Sequence, residues 1–134
     1  MGYESKLYIC KRIKIGEEPY YNEVLTSMNM SKMDSDFVQL FDEKLDGDFF
    51  GMDGVMSRFN QRDDEDRPKL VDNYGDELKY TSLDSVLSWC DEYMENMDEF
   101  PYWRIAVLQE ILESFDIHFK QFYNEQLIVV HYGY

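Results

Sequence analysis

The chain has 134 residues, a formal net charge of −15 and 16% aromatic residues. That length suits one domain that buries its core without staples, and so high an aromatic content excludes a disordered tail. The charge excludes direct binding to nucleic acid or to an anionic membrane, both of which it repels, and favours basic partners.

The charge is also concentrated. Residues 34–99 hold 20 Asp and Glu against 6 Lys and Arg, while residues 1–33 hold 4 against 5 and residues 100–134 hold 4 against 2. No apolar run approaches the roughly 18 residues of a spanning helix. Bases interrupt the apolar positions of residues 1–14, which is not the order of a secretory signal. Lys6 stands where an N-myristoylation signal needs Ser or Thr. The expectation is a soluble protein of the cytoplasm.

Residues 3–15 read as a strand, with Leu7, Ile9, Ile13 and Ile15 on alternate positions and Lys11 in the same row. Tyr8 and Cys10 face the other way, so the strand is expected to be covered on both sides for part of its length. Residues 16–19 form a turn. Residues 20–33 hold a second strand centred on residues 23–28, whose methionines Met28, Met30 and Met33 fill a core.

Residues 34–45 predict a short helix capped by Asp34 or Ser35, with Phe37, Val38, Leu40, Phe41 and Leu45 on its apolar side. Gly47, Gly51 and Gly54 mark the following segment as a loop, and residues 60–68 are strongly polar. Residues 69–81 predict a hairpin turning at Asn73-Tyr74-Gly75. Val71, Leu78 and Tyr80 are its packing residues.

Residues 82–97 predict a helix with Ser82 as N-cap and Asp84 at the positive end of the dipole. Leu83, Val86, Leu87, Cys90, Tyr93, Met94 and Met97 form its apolar stripe. Asp84, Asp91, Glu95 and Asp98 run down the other flank, with Glu92 beside them. Trp89 lies at the boundary, either closing the core or exposed beside the acids. Like charges three or four residues apart weaken a helix by roughly 0.2–0.5 kcal/mol per pair, so helix stability alone does not favour them.

Pro101 opens a further helix, and apolar spacing from Ile105 to Phe122 carries it to residue 124. The rival parse ends it at Asp116 and pairs residues 117–122 with residues 127–132 as a hairpin. The unbroken stripe favours one long helix. Residues 127–132 then form a final buried strand. The sum over residues 1–134 is a single acidic α+β domain, a small mainly antiparallel sheet of three to five strands packed against two or three helices.

Motifs for chemistry are missing. From Asp46, an EF-hand loop finds Asp46, Asp48 and Gly51 in place but Phe50 and Ser57 where oxygen ligands should stand. Cys10, Cys90, His118 and His131 have no zinc-ligand spacing, and no nucleophile motif surrounds either cysteine. The cysteines are read as buried free thiols of a reducing compartment, and His131 as a packing or edge residue. No phosphate loop matches GxGxxG or a P-loop. No catalytic residue, metal or cofactor is assigned, and the chain is not read as an enzyme.

Met1-Gly2-Tyr3-Glu4-Ser5-Lys6-Leu7-Tyr8, Asn29-Met30-Ser31-Lys32-Met33, Asn73-Tyr74-Gly75-Asp76-Glu77-Leu78-Lys79 and His131-Tyr132-Gly133-Tyr134 resemble segments of a group of small acidic phage and prophage proteins. The resemblance implies a bacterial host cytoplasm and an accessory role, and it brings no activity.

Two functional readings follow. In the first, a non-enzymatic accessory or inhibitor protein docks an acidic face on a basic, nucleic-acid-handling host protein, as a DNA mimic or an anti-defence protein does. Asp84, Asp91, Glu92 and Glu95 on the helix, Asp63, Asp64, Glu65 and Asp66 on the polar loop, and Trp89 are its contacts. In the second, a structural or regulatory accessory protein, homo-oligomeric in one version, carries its acidity for solubility alone.

Overall fold

The computed structural model of the chain describes residues 5–14, 16–17, 20–31, 33–50, 77–97, 101–119 and 126–133. Strand β1 (Ser5–Ile13) and strand β2 (Tyr21–Ser31) form an antiparallel hairpin, with irregularities between Ser5 and Lys6 and between Ile9 and Cys10 that fit the longer strand to the shorter. Helix α1 (Ser35–Val38) and strand β3 (Glu43–Lys44) follow, then strands β4 (Asp48–Phe50) and β5 (Lys79–Ser82). Helices α2 (Leu83–Glu95) and α3 (Trp103–His118) lead to the last strand, β6 (Gln126–Gly133).

Among the described residues the sheet runs β3-β5-β6-β1-β2-β4. Five strands are mutually antiparallel, and β4 joins β2 in parallel at one edge. The α+β class with a mainly antiparallel sheet and three helices is therefore as the sequence predicts.

The order of strands has a geometric consequence. β3 and β4 lie at opposite edges, yet only residues 45–47 separate them in the chain. The four steps from Lys44 to Asp48 reach at most about 14 Å, whereas six flat strands would hold their outer members about 24 Å apart. The sheet must curl until its edges approach. Period-two alternation then sends one row of side chains outward to the helices and the other into the curl. Leu7, Ile9, Met30, Leu127 and Val129 meet Phe37, Leu83, Val86, Cys90, Ile105, Leu108 and Leu112 in the helical core. Tyr8, Cys10, Val24, Leu45, Leu78, Ile128, Val130 and Tyr132 fill the inside. The first strand is thus covered on both sides, and β6 is buried along all but its first residue.

Arg12 closes one end of that inner core. It belongs to the same row as Tyr8 and Cys10 and is only 4% exposed. Its guanidinium lies 3.8 Å from the Tyr20 ring centre and 4.8 Å from that of Tyr80. It donates to Asn22 Oδ1 at 2.8 Å, to the Asp46 carbonyl at 2.9 Å and to the Asp46 carboxylate. Asn22 Nδ2 donates to the same carbonyl at 2.8 Å. These bonds tie the 45–47 crossing to β1 and β2. Gly47 takes a φ of +90° there, and a Cβ on it would fall 2.2 Å from the Tyr20 carbonyl oxygen, so only glycine passes.

Several expectations are corrected. The helix expected over residues 34–45 stops after one turn at Val38, and the Asp34 side chain makes no cap bond. A longer helix would keep Leu45 on the side of Phe37 and Phe41. Leu45 is instead buried inside the curl, with its N–H on the Leu78 carbonyl at 2.9 Å. The glycine-marked loop contains β4, because Tyr21, Asn22 and Glu23 of β2 offer an edge to Asp48, Phe49 and Phe50. Beside Lys79 and Tyr80 lies β3, the place the expected hairpin gave to the first arm of residues 69–81. That arm and its turn at residues 73–75 are outside the described residues.

The long helix runs from Trp103 to His118 and ends on Phe119; its expected extension to residue 124 lies outside the described residues. The hairpin alternative fails, since Ile117 and His118 are helical and both edges of β6 are taken by β1 and β5.

Candidate functional site

Helix α2 forms as its sequence dictates. The Ser82 side chain accepts the Ser85 N–H at 3.1 Å, and Asp84 occupies the first turn. Leu83, Val86 and Cys90 are buried and fix the orientation of the helix. Asp84, Asp91, Glu92 and Glu95 all face solvent. At 3.6 residues per turn, Asp84, Asp91 and Glu95 share one flank within about 40°, and Glu92 stands about 80° from Asp84 toward Trp89.

The structure divides the expected patch in two. On the α3 side, Gln109 Nε2 donates to Asp91 at 2.6 Å, so Asp91 is anchored to the neighbouring helix. On the α1 side, Trp89 is half-buried and takes both roles offered for it. It packs on the helical core, with its ring edge-on to Phe37 at 4.9 Å and stacked on Tyr93 at 5.5 Å and 16°. Its Nε1–H also reaches out to Asp36 Oδ2 at 3.3 Å.

Two shallow grooves flank the indole. One, of about 420 Å³, is lined by Leu40, Asp84, Ser85, Ser88, Trp89 and Glu92. The other, of about 360 Å³, is lined by Asp36, Trp89, Glu92, Tyr93, Asn96 and Met97. Trp89 and Glu92 are walls common to both. Asp36 belongs to this rim, and sequence spacing missed it because a tertiary contact brings it from α1. Tyr93, assigned to the core by periodicity, completes the aromatic stack. Asp63, Asp64, Glu65 and Asp66 lie outside the described residues.

Cys10, Cys90 and His131 are buried in the fold. Cys10 and Cys90 are buried free thiols. Burial pushes both up, Cys90 to about 12 with help from the Asp91 charge and Cys10 further, so neither is a thiolate at neutral pH. Cys10 Sγ donates to the Tyr8 carbonyl at 3.6 Å. His131 is a packing residue of the central strand, 2.8 Å from Ser5 Oγ and 5.2 Å from the Phe41 ring. The calcium alternative at Asp46 is opposed by geometry, because Arg12 holds the Asp46 carboxylate and Asp48 is in a strand. Among the described residues no three His, Cys, Asp or Glu side chains gather as a metal site, and no helix is long and apolar enough to cross a membrane.

Comparison of the chain with protein-family models, with curated proteins and with solved structures returns no match.

Proposed function

We propose that this protein is a non-enzymatic binding module of the phage accessory type, which docks the acidic face of α2 on a basic, nucleic-acid-handling host protein. The observation that carries the reading is the placement of Glu92 and Glu95. Both stand in the last turns of α2, where no basic residue offsets them. Carboxylates there oppose the helix dipole at about 0.3–1 kcal/mol each. Asp91–Glu95 and Glu92–Glu95 add like-charge neighbours at four and three residues. Among the described residues the fold gains nothing from these charges, whereas a basic partner would. Held on a packed helix, they are pre-organised for Lys and Arg in the way phosphates are, and such association is fast and salt-sensitive.

The test compares the wild-type protein with an Asp84→Asn, Glu92→Gln, Glu95→Gln triple variant as bait in a bacterial lysate, at low and at high salt. The proposal expects wild type alone to retain basic, nucleic-acid-binding proteins, and to release them as salt rises. Equal recovery by both baits would favour the reading in which acidity serves solubility.

A further inference from the structure

We infer that the groove between Leu40 and Trp89 receives an arginine side chain of the partner, and selects it over lysine. This rests on the binding reading above and gives its partner chemistry. The indole has two faces. Tyr93, one turn toward the C-terminus of α2, stacks on one of them at 5.5 Å. The groove lined by Leu40, Ser85 and Ser88 lies toward the N-terminus of α2, and Tyr93 is not among its walls. Two serines keep it open where larger side chains would fill it.

The walls suit a guanidinium in particular. An aromatic face attracts a cation and stacks best with a planar one. Asp84 and Glu92 stand on the rim of the same groove, eight residues and so about 12 Å apart along α2. A guanidinium lying on the indole presents its N–H groups outward in its own plane, toward such a rim, and a carboxylate there accepts them in pairs. An ammonium has no plane to stack and no fork to offer. Leu40 covers the aliphatic stem, which arginine buries readily. The T-shaped contact with Phe37 at 4.9 Å and the hydrogen bond to Asp36 favour this indole orientation.

The test uses glycine–arginine and glycine–lysine repeat peptides of equal length and charge. Both are titrated at low salt into the full chain carrying Trp103→Phe, so that Trp89 is the fluorophore; Trp103 is 59% exposed and its replacement leaves the core intact. The arginine peptide should perturb Trp89 emission and bind about twofold tighter, a part of one exposed cation–π contact, since an ammonium gains some of it as well. Calorimetry with Trp89→Leu in the otherwise native chain should reduce that preference to unity while both peptides still bind. Trp89→Phe, which keeps an aromatic ring against Phe37, should leave an intermediate preference. Equal affinity of the two peptides for the native chain, or unchanged Trp89 emission, overturns the arginine inference and leaves the basic-partner reading standing. A preference that survives Trp89→Phe undiminished overturns it as well. If neither peptide binds at low salt, both readings fall.

Discussion

Replacing Arg12 tests whether the curled sheet is held by one buried cation. Arg12→Ala removes the donors that face Asn22 Oδ1 at 2.8 Å and the Asp46 carbonyl at 2.9 Å. It also empties the space between the Tyr20 and Tyr80 rings. A hydrogen bond from a charged group contributes about 1.5–3 kcal/mol. Breaking a fully buried ion pair costs about 3–5 kcal/mol. Here the Asp46 side chain is 68% exposed and stays hydrated after the change, so the ion-pair share is discounted to the surface range of about 0–1 kcal/mol. The guanidinium's own burial cost is recovered. The net expectation is a loss of about 3 kcal/mol.

At about 2.1 cal/mol/K per residue, that loss lowers the melting midpoint of a 134-residue chain by about 11 °C. Arg12→Lys keeps the charge but not the fork or the stacking, and should lose roughly half as much. Asp46→Ala keeps the backbone carbonyl that Arg12 and Asn22 share but takes the charged partner from a guanidinium that is 4% exposed, and should cost about 1.5–2 kcal/mol. Urea unfolding at neutral pH measures all three. The argument fails if Arg12→Ala costs no more than Asp46→Ala, because the crossing would then be held by the chain path alone.

Gly47→Ala should destabilise strongly, by more than about 2 kcal/mol, since its Cβ meets backbone at 2.2 Å. Gly16→Ala has open space and only the left-handed φ of +62° against it, so thermal melts should show about 1–2 kcal/mol. Ser82→Ala removes the α2 cap and should cost about 1 kcal/mol by urea titration. The folded Cys90 thiol ionises near pH 12, above its ordinary value of 9.0. The unfolded chain therefore loses this proton first, and stability should fall as pH rises from 9.0 toward 12; Cys90→Ala should reduce that slope but not remove it, because burial raises Cys10 as well. A thiol-reactive disulfide at pH 8 should label neither cysteine until the chain unfolds.

Long elements of one period were legible in the sequence. β1, β2 and β6 carry alternation or unbroken apolar runs, and α2 carries both a stripe and a cap, because each signal repeats over eight or more residues. β3 and β4 have two and three residues, too few for any period to register. Their pairing depends on edges offered by β5 and β2, which local sequence does not contain. Arg12 hid for a different reason. Its place in the inward row with Tyr8 and Cys10 followed from alternation, but a charged residue reads as solvent-facing until its partners are known. Those partners are distant in sequence: Tyr80 by 68 residues, and Asp46 by 34. The site was half legible on the same principle. Helical spacing placed Asp84, Asp91, Glu92 and Glu95 on the outer surface of α2 and Trp89 at its boundary, whereas Asp36 and the grooves exist only once α1 packs against Trp89.

The acidic face and the structural core are separable, and this gives the charge variants their power. The burial that holds α2 in place comes from Leu83, Val86 and Cys90, whereas Asp84, Glu92 and Glu95 face solvent. Neutralising Glu92 or Glu95 removes charge from the wrong end of a helix dipole and should raise stability by about 0.3–1 kcal/mol each. Asp84 sits at the favourable end, and Asp84→Asn should lower stability by a similar amount. The two signs check the placement of each residue before any partner is added. A triple variant that melts at or above the wild-type temperature but no longer retains a basic partner has lost recognition and not its fold. If instead Glu92→Gln and Glu95→Gln both destabilise the chain, the carboxylates hold the helix. The argument that only a partner profits from them would then be refuted.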